Sequence, residues 1–138
     1  MSHRAPLHAL CREHDLRIMY AFGSRAAEVQ RWLEDESADL STGVSDADIG
    51  VLPAKKLSVR EKVEIAVALE DLLDVHRVDL VVLPEADPFV AAEVIRGERL
   101  FADDEDAADE YDLYVLRRAG DLAPFEKERI AMILGRSS

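Results

Sequence analysis

The sequence predicts an α/β domain: a small mixed sheet with helices packed against it. Three observations carry this expectation. Short strand-like segments recur at 18–22, 46–51 and 78–83, the first apolar and the other two carrying acids among apolar residues. Between them lie segments whose apolar residues repeat at three- and four-residue spacing, the rhythm of amphipathic helices. Finally, 138 residues with 49% hydrophobic and 33% charged side chains suit one globular unit with a sizeable core. We therefore read positions 1–138 as a single domain, with 103–138 as a helical C-terminal segment.

The first element is a helix carrying the stripe Leu7, Leu10, Cys11 and His14. His8, Cys11 and His14 have the look of a metal site, but two successive three-residue steps swing side chains through about 120° in all, too far to converge on one ion. Packing is the better reading. Cys11 is the lone cysteine, which excludes an internal disulfide. Strand 18–22 comes next, then a turn at Gly23 and a helix from Ala26 onward. Val29, Trp32 and Leu33 recur at helical spacing, so 27–44 is read as an extended, mostly acidic helix closed by the turn Ser41-Thr42-Gly43.

Along the next strand alternate side chains share a face, which places Asp46 and Asp48 together and Gly50 beside them, leaving room there. Ser58 and Glu61 form a capping-box pattern that opens a helix over 58–74. Val59, Val63, Ala66, Val67, Leu69 and Leu73 are its expected apolar face, and Arg60, Glu64 and Asp71 its polar one. Strand 78–83 carries Asp79 within Val78-Asp79-Leu80-Val81-Val82-Leu83. Asp87 before Pro88 starts another helix, which Gly97 stops. Residues 103–110 are strongly acidic and read as a solvated connector or first turn. Gly120 and Pro124 divide what remains into helices 106–119 and 124–134. The pattern puts the acids on one face of the sheet and the helices on the other, without fixing strand order.

Asp46, Asp48 and Asp79 are the candidate metal ligands. Magnesium takes hard oxygen ligands, usually one or two carboxylates with waters and substrate phosphates, and a metal pair stabilises an in-line phosphoryl transfer. An Asp-x-Asp pair alone is weak evidence, because most such pairs are simply solvated. Asp79 is harder to dismiss: an ionised group inside an apolar run is costly to bury without a cation. Alone it reads equally as a structural, edge-facing Asp; beside Asp46 and Asp48 the ligand reading leads. Gly23, Ser24 and Arg25 approach from the other side. Gly23 makes a tight turn and Ser24 begins a helix, where free N–H groups and the helix dipole favour phosphate. A plain glycine turn with a serine cap gives the same two residues, and the paired acids downstream favour the phosphate reading. Arg25 would neutralise phosphate charge, although an exposed Arg near a turn is as often only solvated.

The formal net charge of −12 argues against direct nucleic-acid binding, which needs a basic face, and suits a basic protein partner. No apolar stretch is long enough to span a bilayer and no signal peptide opens the chain, so a cytoplasmic protein without membrane attachment is expected.

Gly23-Ser24-Arg25-Ala26, then Ser45-Asp46-Ala47-Asp48-Ile49, then Val78-Asp79-Leu80-Val81 resemble the ordered motifs of the polymerase-β-like nucleotidyltransferase superfamily in its minimal (MNT) form. The segment from Ala92 through Arg96-Gly97-Glu98-Arg99 to Phe101 is similar to the stretch after the third acid in those proteins, and the Tyr-, Asp- and Arg-bearing C-terminal helix resembles theirs too. The likeness covers nearly the whole chain. One departure is the loop between Ser24 and Asp46, which in the family is much shorter, basic and glycine-containing. Extra negative charge near a triphosphate repels it unless metals offset that charge.

The resemblance implies the polymerase-β-like nucleotidyltransferase fold, two Mg2+ ions and ATP as substrate. Asp46 and Asp48 would bind both ions, Asp79 would bind one and help activate the acceptor hydroxyl, and Gly23 and Ser24 would hold the terminal phosphates. It further implies an antitoxin that transfers AMP to a hydroxyl, commonly of a tyrosine, on a cognate HEPN-domain ribonuclease toxin. That partner is expected to meet the C-terminal helices between Tyr111 and Leu134, although Tyr111, Tyr114, Val115, Ile130 and Ile133 read equally well as packing residues. Two alternatives stand beside it: a non-catalytic antitoxin whose nucleotide site has decayed, and a transferase acting on a small molecule such as an aminoglycoside. The second lacks the extra substrate-binding domain it would need.

Overall fold

The computed structural model describes residues 3–35 and 46–133. Helix α1 (Arg4–Glu13) leads into strand β1 (Leu16–Phe22), a 3-10 turn (Gly23–Arg25) and helix α2 (Ala26–Glu34). Strand β2 (Asp46–Pro53), helix α3 (Val59–Leu73) and strand β3 (Arg77–Val82) come next. A second 3-10 turn (Leu83–Glu85), helix α4 (Pro88–Ile95), strand β4 (Glu98–Ala102) and helix α5 (Glu105–Ile133) complete the order. The four strands form one mixed sheet in the order β3-β2-β1-β4. β1 runs antiparallel to β2 and β4, whereas β2 and β3 are parallel and joined across the sheet by α3.

Each helix has a local cause. Ser58 accepts from the Glu61 N–H at 3.1 Å while the Glu61 carboxylate accepts from the Ser58 N–H at 3.0 Å, closing the expected capping box. Asp87 accepts from the Phe89 N–H at 2.8 Å ahead of Pro88, so α4 starts as expected. Leu7, Leu10 and Cys11 are buried in α1, and His8 lies edge-on to Phe101 at 4.9 Å, which is packing rather than metal binding. Burial pushes the Cys11 thiol up to about 12. In α2 the buried residues are Val29, Trp32 and Leu33, so the helical reading of this stretch holds through Glu34. The rest of the expected helix and its Ser41-Thr42-Gly43 turn lie outside the described residues.

The structure corrects five sequence-based expectations. Helices cover both faces of the sheet rather than one. Leu7, Trp32, Leu33, Ile65 and Leu69 pack with Met19, Ala21, Ile49 and Val51 on one side; Ala92, Val94, Ala108 and Val115 pack with Ile18 and Tyr20 on the other. The space beside Asp46 and Asp48 at Gly50 is filled by α4, since a Cβ there would stand 2.3 Å from Val94 Cγ1. Strand β4 is an addition to the three expected strands, because its leading Glu98 and Arg99 mask a short run. Gly97 makes it possible: a Cβ at that position would lie 2.2 Å from the Ala21 carbonyl oxygen.

Helix α3 faces the core through Ile65, Leu69 and Leu73, and leaves Val59, Val63 and Val67 outward at 76%, 56% and 48% exposure. The two apolar stripes are adjacent on the helix, and only one of them meets the sheet. Finally, α5 runs unbroken through Gly120 and Pro124. A proline ring crowds the carbonyl four residues earlier. That residue is Gly120, which carries no side chain of its own to add to the crowding. The acidic stretch does serve as connector and first turn, with Asp104 accepting from the Ala107 N–H at 3.1 Å.

Candidate active site

The candidate residues meet where β1 ends and β2 and β3 begin. Phe22, the last residue of β1, pairs with Asp48, so the chain leaves the sheet beside that carboxylate. Gly23 then takes φ +75, the left-handed region that favours glycine. A Cβ there would also stand 2.5 Å from Asp48 Oδ2, so both the backbone angle and the space require glycine. Gly23 and Ser24 are exposed on the 3-10 turn that feeds α2. Ser24 makes no capping hydrogen bond; Arg25 holds the N-cap position of α2, which removes the serine-cap reading.

Asp46 and Asp48 project from one face of β2, separated by buried Ala47. Parallel pairing sets Asp48 directly beside Asp79. Burial, then the charges of Asp79 and Asp46, then a hydrogen bond with Asp79 hold the Asp48 carboxyl above the usual carboxylate range. Asp79 is not sealed in apolar surroundings. It lies on an edge strand with its side chain 39% exposed, and Arg77 Nε approaches its Oδ1 at 3.0 Å. Asp79 is thus not a buried charge in need of compensation, and the cation beside it is Arg77, two residues away on the same face. Sequence reading passes over Arg77, yet the alternation of a strand that contains Asp79 is enough to place it.

Arg25 departs from the exposed-arginine reading. It is 6% exposed, donates from Nε to Glu28 at 3.1 Å and from Nη1 to the Asp46 carbonyl at 3.4 Å. It thus binds the turn to the start of β2 and fixes where the first acid stands.

Among the described residues, no three His, Cys, Asp or Glu side chains converge into a ready metal-binding group. What stands there is a carboxylate pair, Asp48 and Asp79, with exposed Asp46 acting on Asp48 through its charge. Repulsion within that pair and its hard oxygen donors fit a divalent cation whose remaining ligands would come from phosphate and water.

A second feature lies on the acid-bearing face. Tyr20, 1% exposed in β1, donates its hydroxyl hydrogen to Asp112 of α5, and Arg99 of β4 bridges Asp112 at 2.8 Å, Asp109 at 3.0 Å and Glu105 at 2.8 Å. These bonds tie α5 to the sheet. Its outer side keeps Leu113 and Tyr114 exposed at 54% and 57%, in an open groove of about 610 Å³ that Arg117 and Arg118 also line.

Residues 7–106 match the family model described as polymerase beta, nucleotidyltransferase. In three dimensions the chain is similar to one from a toxin–antitoxin complex with AMP-PNP, at 23% identity and TM-score 0.72, covering 95% of this chain and 98% of that one. It is also similar to one from a complex of tri-AMPylated HEPN toxin with MNT antitoxin from Shewanella oneidensis, at 21% identity and TM-score 0.70, covering 96% of each. A further likeness is to a protein described as a minimal nucleotidyltransferase, at 25% identity and TM-score 0.51, covering 71% of this chain and 94% of that one. No protein of curated function matches the sequence.

Proposed function

The chain belongs to the polymerase beta nucleotidyltransferase family, and on that premise we propose that it transfers AMP from ATP to a tyrosine hydroxyl of a HEPN-domain ribonuclease toxin, which it silences. The observation that carries this reading is the side-by-side placement of Asp48 and Asp79, with Gly23 packed against the first of them. The likeness in fold to antitoxin chains from complexes with AMP-PNP and with a tri-AMPylated toxin supports the nucleotide and the acceptor class.

In this reading Asp46, Asp48 and Asp79 would hold two magnesium ions. When bound, the metals neutralise the triphosphate and stabilise the attacking and leaving oxygens. The exposed N–H groups of the turn at Gly23 and Ser24 hold the terminal phosphates. Arg25, being buried, serves by fixing Asp46 rather than by reaching the nucleotide. Asp79 accepts the proton of the acceptor hydroxyl; the acceptor oxygen bonds to the α-phosphorus, the bond to the β-phosphate oxygen breaks, and pyrophosphate leaves. The net charge of −12 would steer a basic nuclease toward the protein, and the groove where Leu113, Tyr114 and Leu122 lie among Glu110, Asp121, Arg117 and Arg118 offers it a docking face of mixed charge. Both ATP and such a toxin belong to the cytoplasm.

A purely inhibitory, non-catalytic antitoxin is the second reading, favoured by the burial of Arg25 and by the lack of a converged triad among the described residues. One experiment separates the two. The neighbouring gene's product is co-expressed with wild type or with Asp48→Asn, separated, weighed by mass spectrometry and assayed for ribonuclease activity. Transfer predicts added AMP units and lasting inactivation with wild type, and at least about a hundredfold slower modification with Asp48→Asn. An unmodified toxin that regains activity on separation leaves inhibition by binding alone.

A further inference from the structure

Arg77 opens β3 with its side chain 69% exposed, yet its Nε sits 3.0 Å from Asp79 Oδ1. In the parallel register Arg77 lies beside Asp46, and Asp79 beside Asp48. Alternation along both strands therefore puts all four side chains on one face, three negative and one positive. An ion pair this exposed contributes little to stability, typically about 0–1 kcal/mol. What it does is orient. A carboxylate paired through one oxygen has a preferred orientation, and Asp79 is paired in this way while the strand register sets it beside Asp48.

Resting on the nucleotidyltransferase reading, we propose that Arg77 is a positioning residue of the metal centre: its guanidinium fixes Asp79 against Asp48, so that the pair is set to share a cation before one arrives. Partners that orient metal-binding carboxylates commonly carry about a ten- to hundredfold effect on metal affinity or activity. The charge of Arg77 taken alone acts in the opposite sense, since a cation beside the site repels a metal ion. Orientation and charge therefore predict effects of opposite sign when Arg77 is removed.

The test titrates Mn2+, followed by electron paramagnetic resonance, into the full chain with AMP-PNP, for wild type, Arg77→Gln, Arg77→Lys and Asp48→Asn. Positioning predicts that Arg77→Gln weakens Mn2+ binding about tenfold or more, and that Arg77→Lys, which keeps charge but loses the planar fork, recovers only part. Steady-state transfer to the toxin should show kcat falling in parallel, with KM for ATP within about twofold of wild type. Unchanged or tighter Mn2+ binding by Arg77→Gln overturns the proposal. So does a rise in KM with metal binding intact, which would put the guanidinium on the triphosphate. If Asp48→Asn binds Mn2+ as wild type does, the metal centre itself is wrong and Arg77 falls with it; if only Arg77→Gln behaves as wild type, the centre stands without it. Because Arg77 is exposed, melting curves should show all four proteins folded.

Discussion

Tyr20 gives its hydroxyl hydrogen to Asp112, joining the strand that leads into the candidate site to the first third of the long C-terminal helix. The phenol is buried and its acceptor is charged, and such a bond is worth about 1.5–3 kcal/mol. Burial, followed by the hydrogen bond to Asp112, holds the tyrosine firmly in its protonated, donating form. Tyr20→Phe should lower stability by about that amount in urea unfolding, and amide exchange in α5 should speed up more than in β2. Uniform protection across both elements would mean that Arg99 alone anchors the helix.

Gly23→Ala is expected to be costly out of proportion to one methyl group. A left-handed backbone angle costs about 1–2 kcal/mol for a residue with a Cβ, and here the Cβ also displaces the Asp48 carboxylate. Ser24→Ala beside it should leave stability unchanged, since that hydroxyl caps nothing. Thermal melts of the two variants check the contrast; equal stabilities would show that the turn re-forms without strain.

In α3, Leu69→Ala should destabilise by about 2–5 kcal/mol, the range for emptying a buried leucine. Val63→Ser, on the outward stripe of the same helix, should stay within about 0.5 kcal/mol. Chemical denaturation decides it. A large loss at Val63 would show that the stripe is covered in solution.

Burial, then the charges of Arg4 and Arg12, holds the His8 imidazole below its ordinary value. The folded state thus prefers neutral His8, while the unfolded chain takes up the proton first. The contribution is complete above the unfolded pKa of about 6.5 and is lost as pH falls below it toward the lowered native value. Between about pH 7.5 and 5.5 the melting temperature of wild type should fall more than that of His8→Gln. Parallel curves would show that His8 titrates freely.

Much of this protein is written in short-range signals. The capping box at Ser58 and Glu61, the proline start at Asp87-Pro88 and the alternation around Asp46 and Asp48 depend only on near neighbours, and each appears as read. What escaped depends on the partner surface. Val59, Val63 and Val67 are as apolar and as regularly spaced as Ile65, Leu69 and Leu73, and the sheet alone decides which stripe is inside. Strand β4 needs β1 as a template and Gly97 as the point of approach. At the site, residue types announced the acids and the turn, and alternation along β3 was enough to place Arg77 beside Asp79, but the burial of Arg25 exists only once the turn meets the start of β2.

That parallel pairing also governs when the centre comes into being. Parallel neighbours cannot be closed by a hairpin, so Asp48 and Asp79 face each other only after the chain has passed through all of α3 and returned. Long-range closure of this kind is slow and comes late in folding. A nascent chain still short of β3 carries two of the three acids but no pair across strands. Cation binding at Asp48 and Asp79 would therefore report a completed crossover, a built-in check that only a finished sheet can meet.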